Sequence, residues 1–302
     1  MKSLEVEAQP PSPFRLPAYS SEDRVMRVGG GVVSRLLRVG ESPVLVRAWQ
    51  PGADRVVLRA EPVDPAALEA PRSIPSLPSQ AAGTAQLRLA LERMRFALGV
   101  DDDLAEFYRC FRRDPLLGPE LRRRPYLRPR RRPWAWEALA WAVVKQLIET
   151  ERAARIQRRI VGRWGSRLGW DREALRDMPG PGTIAGRAPA ELSAMDLSPG
   201  RSIALRAVAR EIATGRCDPA DPAGDRRLLA VPEIGPWTLQ CLGLFGRGDP
   251  DSLPAGDLIY LKLVGRLARL GRRATVEEVE EFYAPYEPFR GLAGLWTIGL
   301  YR

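Results

Sequence analysis

Hydrophobic and polar positions divide the chain into two parts with different periodicity. Residues 24–28, 32–39, 43–49 and 55–60 alternate as β-strands do, and Gly or Pro residues separate these runs. From Thr84 onward, apolar residues recur every three or four positions, as in amphipathic helices. The first such stripe consists of Leu87, Leu91, Met94 and Leu98. The pattern predicts three or four antiparallel strands followed by an all-helical region, which is an α+β chain.

The same reading predicts an N-terminal β-rich domain at 1–83 and a helical region at 84–302. Between them, the Pro- and Ser-rich segment 71–80 is predicted to be a linker or loop. The strongest helical pattern follows Trp134, where two stripes predict one long buried helix or two helices in sequence. The stripes are formed by Leu139, Val143 and Leu147, and by Ile156, Ile160 and Trp164. Further helices are predicted near 200–214, 258–270, 275–282 and 292–301.

Residue usage restricts the chemistry. The 302 residues include no histidine, which excludes catalytic triads, histidine metal ligands and histidine acid–base catalysis. Cys110, Cys217 and Cys241 are far apart, so we expect free thiols and neither a zinc site nor an iron–sulfur cluster. Catalysis would therefore depend on Asp, Glu, Lys, Tyr or a cofactor.

Net charge and hydropathy indicate the kind of partner and the cellular compartment to expect. The formal net charge is +10, which is compatible with a polyanionic partner and equally with a solvated basic surface. Seven arginines lie between Arg122 and Arg132, either in an exposed loop or in contact with phosphates, and we favour a loop near nucleic acid. The N-terminus lacks an apolar signal core and no segment approaches a membrane span. We expect a soluble, intracellular protein.

Candidate chemistry is concentrated between residues 228 and 261. Val231 to Gly235 form a Pro/Gly turn, Pro236 suits the first turn of a following helix, and Asp257 precedes an apolar run. Backbone N–H groups of such a turn can bind a phosphate without reading sequence. A Pro/Gly turn between helices is common, however, and Asp257 is equally suited to cap a helix.

Four segments together resemble the helix–hairpin–helix base-excision DNA glycosylases, in particular the 3-methyladenine DNA glycosylase II branch. They are WEALAWAVVKQLIE at 136–149, PEIGPWT at 232–238, LPAGDL at 253–258 and PYEPFRGLAGLW at 285–296. The resemblance implies two helical subdomains with a DNA-binding cleft between them, behind an antiparallel N-terminal sheet. It further implies a monomer that binds double-stranded DNA with a damaged base, in the bacterial cytoplasm at the nucleoid.

Catalytic roles follow from the resemblance. Asp257 matches the catalytic aspartate, whose carboxylate would stabilise positive charge on the sugar during base release. Bifunctional members of the family carry a Schiff-base lysine where this chain has Trp237. The resemblance therefore implies monofunctional hydrolysis of alkylated purines that leaves an abasic site, without strand cleavage.

The resemblance also assigns residues that handle the damaged base. Trp237 and Trp296 match aromatic positions of the base pocket, and Cys241 stands where the family's best-known pattern has tyrosine. Tyr283 and Tyr286 are candidates to compensate for that change. Without the resemblance, these aromatic residues would be assigned to the core.

A separate short segment matches the residues that open the duplex. Leu147, after Gln146, matches the wedge that fills the gap left by a flipped base. The periodicity by itself places Leu147 on a buried stripe. Lys145 directly precedes Gln146 and is a candidate phosphate contact.

The hairpin is expected to bind phosphate through the backbone at Glu233, Gly235 and Thr238. Glu233 departs from the family's glycine, and a positive φ at this position would be strained for glutamate. The resemblance also implies a monovalent cation (sodium or potassium) held by the carbonyl groups of Leu229, Val231 and Ile234. No other cofactor is expected.

Two alternatives remain open at the level of sequence. Glu233 and Cys241 are compatible with a DNA-binding protein that has weak or no catalysis, although the retained Asp257 argues against this. The protein could also be a glycosylase for deaminated or oxidised purines.

Overall fold

An antiparallel sheet of five strands forms the N-terminal part of the molecule. The computed structural model describes residues 3–69, 82–169 and 174–301, so the predicted linker at 71–80 lies outside the described residues. The sheet order is β1-β5-β4-β3-β2. Its strands are β1 (Leu4–Ala8), β2 (Met26–Gly29), β3 (Val32–Val39), β4 (Ser42–Gly52) and β5 (Arg55–Pro62). Strand β1 was not predicted, although its five residues alternate between apolar and acidic side chains.

Helix α1 (Thr84–Leu98) covers one face of this sheet. The predicted stripe of Leu87, Leu91, Met94 and Leu98 is buried with the inward-facing strand residues in one hydrophobic cluster. The helix ends at Gly99, whose φ of +70° is the left-handed conformation of a helix C-terminus. The predicted helical stripe is therefore confirmed, and the apolar face of α1 packs against the sheet.

Twelve further helices follow α1 in the described part of the chain. They are α2 (Ala105–Phe111), α3 (Leu117–Arg123), α4 (Ala135–Lys145), α5 (Thr150–Trp164), α6 (Pro181–Ala185), α7 (Pro189–Ser193), α8 (Pro199–Ala213), α9 (Asp225–Leu229), α10 (Pro236–Leu242), α11 (Leu258–Leu267), α12 (Val276–Tyr283) and α13 (Arg290–Thr297). A π-helical turn, Gly243–Arg247, continues α10. The predicted α+β class is confirmed.

Two strands interrupt the region that the sequence predicts to be all-helical. Strands β7 (Arg167–Leu168) and β8 (Leu175–Arg176) pair with each other, and β7 also pairs with β6 (Leu68–Glu69). Each strand has two residues, which is too short for an alternating pattern to be recognised. This small sheet ties the end of the N-terminal part to the helical region.

The long helical pattern after Trp134 is divided between α4 and α5. Leu139 and Val143 are fully buried, but Leu147 is fully exposed, with a relative accessibility of 104%. Its φ of +53° is left-handed, so the chain turns out of the helix at this residue. The periodicity was wrong at Leu147 because the four-residue repeat continued past the end of α4.

A buried network of charges joins the sheet to α4. Arg35 on β3 binds Glu137 at 2.5 Å, and Arg132 binds both Glu137 at 3.0 Å and Asp23 at 2.5 Å. The indole Nε1 of Trp141 donates to the same Asp23 carboxylate at 2.8 Å. These buried charges are paired with one another in the interior.

The arginine run therefore has an internal role that the sequence did not reveal. Besides Arg132, Arg131 forms a two-pronged ion pair with Asp102 at 2.6 and 2.9 Å, and Arg128 donates to the carbonyl of Pro13 at 2.8 Å. The side chains that remain exposed are Arg122, Arg123 and Arg130. The favoured loop near nucleic acid is thus largely a connection between the two parts of the chain.

None of the helices that the structure describes is both long and apolar enough to cross a membrane.

Candidate active site

The Pro/Gly turn forms a hairpin between α9 and α10, as predicted. Val231 and Ile234 are buried and anchor the turn, and the Ile234 N–H donates to the Val231 carbonyl at 3.1 Å. Pro232 and Glu233 between them are exposed. Glu233 has a φ of +71°, which is the left-handed conformation that glycine adopts most easily. The strain expected at Glu233 is therefore present.

The Glu233 side chain lies against the first turn of α8. A methyl group added to Gly200 would lie 2.9 Å from Glu233 Oε1, so the carboxylate end of this side chain lies directly against Gly200. Arg201 is the next residue, and the negative charge of Glu233 acts to raise the pKa of its guanidinium, against a larger lowering by burial. The hairpin carboxylate therefore lies beside a cation of the protein.

Gln146 connects the hairpin to the loop between α4 and α5. Its Nε2 donates to the Glu233 carbonyl at 2.7 Å and to Thr238 Oγ1 at 3.0 Å. Arg201 braces the same loop from α8 by donating to the carbonyls of Val144 at 3.1 Å and Gln146 at 3.3 Å. Leu147 extends from this braced position into solvent.

Thr238 differs from its predicted role as a phosphate contact. It is 1% exposed, its N–H donates to the Gly235 carbonyl at 3.0 Å, and its hydroxyl accepts from Gln146. The residue is therefore part of the link between hairpin and loop. Sequence could not show this, because the link depends on Gln146, which is 92 positions away.

Asp257 stands at the N-terminus of α11 and is half-buried. Its Oδ1 accepts from the Ile259 N–H at 3.0 Å, so it is the N-cap that the sequence allowed. No described residue forms a further side-chain hydrogen bond to this carboxylate. One oxygen is thus fixed by the helix, while the other remains free to face a reacting group.

The loop that precedes Asp257 is held by α13. The Arg290 Nε donates to Asp251 Oδ1 at 2.9 Å, and the Leu292 N–H donates to the Pro250 carbonyl at 3.0 Å. A methyl group on Gly291 would overlap the Ser252 carbonyl, so this loop and α13 touch backbone to backbone. The segment 285–296 therefore holds the loop at 250–252, and this loop leads to Asp257.

Trp237 lies beside the same loop. A methyl group on Gly256 would lie 3.8 Å from Trp237 Cδ1, which places the indole next to the residue before Asp257. The ring is half-buried, and its Nε1 is enclosed without a hydrogen-bond partner. The structure thus places Trp237 beside the loop that ends at Asp257.

Three other residues predicted for the base pocket lie in the hydrophobic core. Trp296 and Tyr283 are 0% exposed and Tyr286 is 7% exposed. The Trp296 ring packs 5.2 Å from Phe107, centroid to centroid, and the Tyr283 hydroxyl pairs with Thr297 Oγ1 at 2.6 Å. Their ring faces are covered by protein, so in this conformation they support the site from behind and cannot stack on a base.

Cys241 is buried and electrostatically connected to the site. Burial raises the pKa of its thiol, the negative charge of Asp257 raises it further, and the cation of Lys145 acts in the opposite direction. Tyr260, one turn into α11, has a pKa raised well above its usual value by burial, with Tyr283 and Asp257 adding to the effect. Lys145, Cys241, Asp257 and Tyr260 thus form one electrostatic neighbourhood.

The hairpin carbonyls are compatible with the implied monovalent cation. Leu229 is the last residue of α9, where helix carbonyls lack intrahelical partners, and Val231 follows two residues later. Together with Ile234 they could offer the neutral oxygen ligands that such a cation takes. The cation remains a prediction.

Asp257 lines neither of two clefts in the described residues. One, of about 650 Å³, is basic and lies between α11 and α12; the other, of about 270 Å³, lies between β3 and the start of α4. The first is lined by Lys262, Gly265, Arg266, Arg269, Gly271, Arg272 and Arg273. Neither includes the residues that the sequence selected.

Several known proteins are similar to this chain in sequence or in fold. No protein-family model matches the chain. A DNA-3-methyladenine glycosylase of Bacillus subtilis is 25% identical over 207 residues, which is 66% of this chain and 68% of that protein. A probable bifunctional transcriptional activator/DNA repair enzyme AlkA of Mycobacterium tuberculosis is 40% identical over 73 residues, 24% of this chain and 14% of its own length.

A solved structure of a 3-methyladenine DNA glycosylase from Archaeoglobus fulgidus superposes with a TM-score of 0.76. The superposition covers 98% of this chain and 97% of that one, at 18% identity. A Schizosaccharomyces pombe 3-methyladenine DNA glycosylase in complex with abasic DNA gives a TM-score of 0.52 at 22% identity, over 65% of this chain and 95% of that one. This chain has the helix–hairpin–helix DNA glycosylase fold. The resemblance drawn from the four sequence segments is confirmed.

Within this glycosylase fold, sequence reasoning missed two contributors to the site. Gly200 and Arg201 on α8 accommodate Glu233 and brace the α4–α5 loop, but their segment carried no motif. Lys145 was noted as a phosphate contact, whereas the structure places it half-buried and near Cys241. The only indication of this position in the sequence is that Lys145 directly precedes Gln146, a predicted site residue.

Proposed function

We propose that the protein is a monofunctional DNA glycosylase, a hydrolase that removes alkylated purines such as 3-methyladenine or 7-methylguanine in base-excision repair. The observation that carries the proposal is the half-buried carboxylate of Asp257, which lies beside Trp237 on the loop next to the hairpin. The relatives named as 3-methyladenine glycosylases support the substrate class.

The chemistry requires no histidine. The base leaves the stack, the C1′–N9 bond breaks, and its electron pair goes to the base while positive charge builds on the sugar. The free oxygen of Asp257 would stabilise that charge and orient the attacking water, whose oxygen bonds to C1′ while its proton passes to the carboxylate. An alkylated purine is already cationic, so it departs without a strong general acid.

Trp237 has two consequences for the reaction. Its indole can hold a cationic base by cation–π attraction, and its enclosed Nε1 lies next to the Asp257 loop. With tryptophan at this position, no lysine of the hairpin can form a Schiff base. Water would therefore be the nucleophile, and the product would be an intact strand with an abasic site.

DNA binding would use the exposed elements around the site. Leu147 would enter the gap left by the flipped base, because it is fully exposed on a braced turn. Backbone N–H groups of the hairpin around Glu233 and Gly235 would contact a phosphate. We propose a monomer that binds duplex DNA, and binding should weaken steeply as salt rises.

An assay of base release tests the proposal. Duplexes that carry 3-methyladenine, 7-methylguanine or hypoxanthine are incubated with the protein and then treated with alkali to cut abasic sites. Strand breaks that appear only after alkali, with the alkylated duplexes, are the expected result. Release of hypoxanthine alone would favour the deaminated-purine alternative, and no release from any duplex would leave a DNA-binding protein without catalysis. Breaks before alkali would contradict the monofunctional mechanism.

A further inference from the structure

Lys145 lies at the end of α4, which runs antiparallel to α10. Gln146 at the end of α4 contacts Thr238 in the first turn of α10. At the other end, a methyl group on Gly246, after α10, would lie 2.8 Å from Cβ of Ala138 in the first turn of α4. The two helices are therefore in close contact along their length, with opposite directions.

This arrangement brings the Lys145 amine toward Cys241. Thr238 and Cys241 are three residues apart, so they share the face of α10 that meets α4. A helical side chain leans toward the N-terminus of its own helix, which carries the Lys145 amine back from Gln146 to the level of Cys241. The thiol is within electrostatic reach of both Lys145 and Asp257.

The amine has no partner among the residues that the structure describes. No hydrogen bond or ion pair joins Lys145 Nζ to any of them, and the nearby carboxylate of Asp23 is bound by Arg132. Burial lowers the pKa of Lys145, the Arg132 cation lowers it further, and Glu22, Asp23 and Cys241 act in the opposite direction. A half-buried amine that no described residue engages is available to donate to an acceptor on a ligand.

We propose that Lys145 lies at the floor of the base pocket and reads the damaged purine by donating a hydrogen bond to its C6 carbonyl oxygen. The substrates favoured by this contact are purines with a carbonyl at C6, such as 7-methylguanine, over 3-methyladenine, which carries an amino group there. A lysine amine in its charged form is a donor only and cannot accept from that amino group. The inference depends on the proposed glycosylase function.

The two alkylated purines make a matched pair for the test, since both are cationic and differ at C6. Single-turnover rates of release are measured for wild type, Lys145→Met, Lys145→Gln and Lys262→Met. Lys262 on α11 lines the basic cleft, which does not include Asp257, and serves as the lysine control. We expect Lys145→Met to lower the ratio of 7-methylguanine to 3-methyladenine release about tenfold or more, as loss of a charged hydrogen bond implies.

The other variants sharpen this result. Lys145→Gln keeps a neutral donor and should retain part of the preference, while Lys262→Met should leave the ratio unchanged. Melting curves from circular dichroism establish that each variant is folded, and Lys145→Gln replaces Lys145→Met if the latter does not fold. A ratio that neither Lys145 variant changes would overturn the proposal.

A second measurement does not depend on catalysis and distinguishes the proposed Lys145 contact from the proposed glycosylase function. Free 7-methylguanine and free 3-methyladenine are titrated into wild type and each variant while tryptophan fluorescence is followed. If wild type releases no base from DNA but the ratio of Kd values shifts in Lys145→Met, the proposed function is wrong and the Lys145 contact stands. If the Kd ratio is the same in wild type and both Lys145 variants, the Lys145 contact is wrong.

Discussion

Helices α10 and α13 each carry a tryptophan that the sequence assigned to the base pocket, but the structure gives them different roles. Trp237 on α10 is half-buried beside the Asp257 loop, whereas Trp296 on α13 is sealed in the core. What α13 presents toward the site is backbone, at Gly291, and an ion pair between Arg290 and Asp251. One helix would contact the substrate, and the other holds the loop that carries the acid.

Asp257→Asn should have the largest effect on activity. Asparagine caps helices about as well as aspartate, so the stability of α11 should change little, but the negative charge beside the sugar is lost. We expect base release to fall by roughly 100-fold or more, as when one electrostatic catalytic group is removed. Single-turnover assays and melting curves measure the two effects. Release at the wild-type rate would contradict the mechanism.

The comparison of the two tryptophans is tested directly by alanine. Trp296→Ala removes a fully buried ring and should destabilise the protein by about 3–5 kcal/mol. Trp237→Ala removes a half-buried ring, so it should cost less stability but slow base release about tenfold through lost stacking. Urea denaturation and release rates separate the two variants. Equal effects of both variants on stability and on rate would contradict the different roles assigned to Trp237 and Trp296.

The contact between the sheet and α4 differs from the surroundings of the two tryptophans, because buried charged groups form it and not aromatic rings. Burial by itself would raise the pKa of Asp23, but Arg132, Ser21, Arg35 and the Val25 N–H together lower it from 3.8 to about 2. A carboxylate with a depressed pKa stabilises the folded state above its unfolded pKa and loses that contribution as pH falls.

Stability should therefore drop by about 2 kcal/mol between roughly pH 4 and pH 2 through Asp23. Urea titrations at several pH values measure this loss. Asp23→Asn should lower stability at neutral pH, because Arg132 loses a buried partner, and should make the acid dependence shallower. An acid profile identical to wild type would show that Asp23 does not contribute.

Gly291→Ala tests the supporting role of α13. The added methyl group would overlap the Ser252 carbonyl, so the loop before Asp257 must move, at a cost of about 1–3 kcal/mol and a slower release of base. Gly162→Ala on α5 is the matched control, since nothing lies within 4 Å of its new methyl group. That control should be stabilised by about 0.5–1 kcal/mol. If both variants had the same stability and the same rate of base release, close contact between Gly291 and the Ser252 carbonyl would be contradicted.

The smallest effect is expected at the hairpin. Glu233→Gly relieves a left-handed glutamate and removes a negative charge beside the proposed phosphate site, so DNA should bind more tightly. Stability should change by about 1 kcal/mol or less, because glycine also loses more conformational entropy on folding. Glu233→Gln removes the charge and keeps the strain. Kd values for duplex DNA at two salt concentrations distinguish charge from strain, and weaker binding by Glu233→Gly would contradict the prediction.

Sequence determined the features that depend on neighbours along the chain. The alternation of 32–39 and the stripe of α1 gave the α+β class, because local periodicity records which face is buried. The turn residues at 231–235 gave the hairpin and the left-handed φ of Glu233, and the absence of histidine directed attention to Asp257.

Only the tertiary structure decided which matching side chains face the site. Trp296 and Trp237 are the same residue type, and their difference in exposure arises from contacts with Phe107 in one case and Gly256 in the other. Leu147 continued a buried periodicity but lies in solvent, because α4 ends at Lys145, two residues before it. Burial depends on partners distant in sequence, which periodicity does not record.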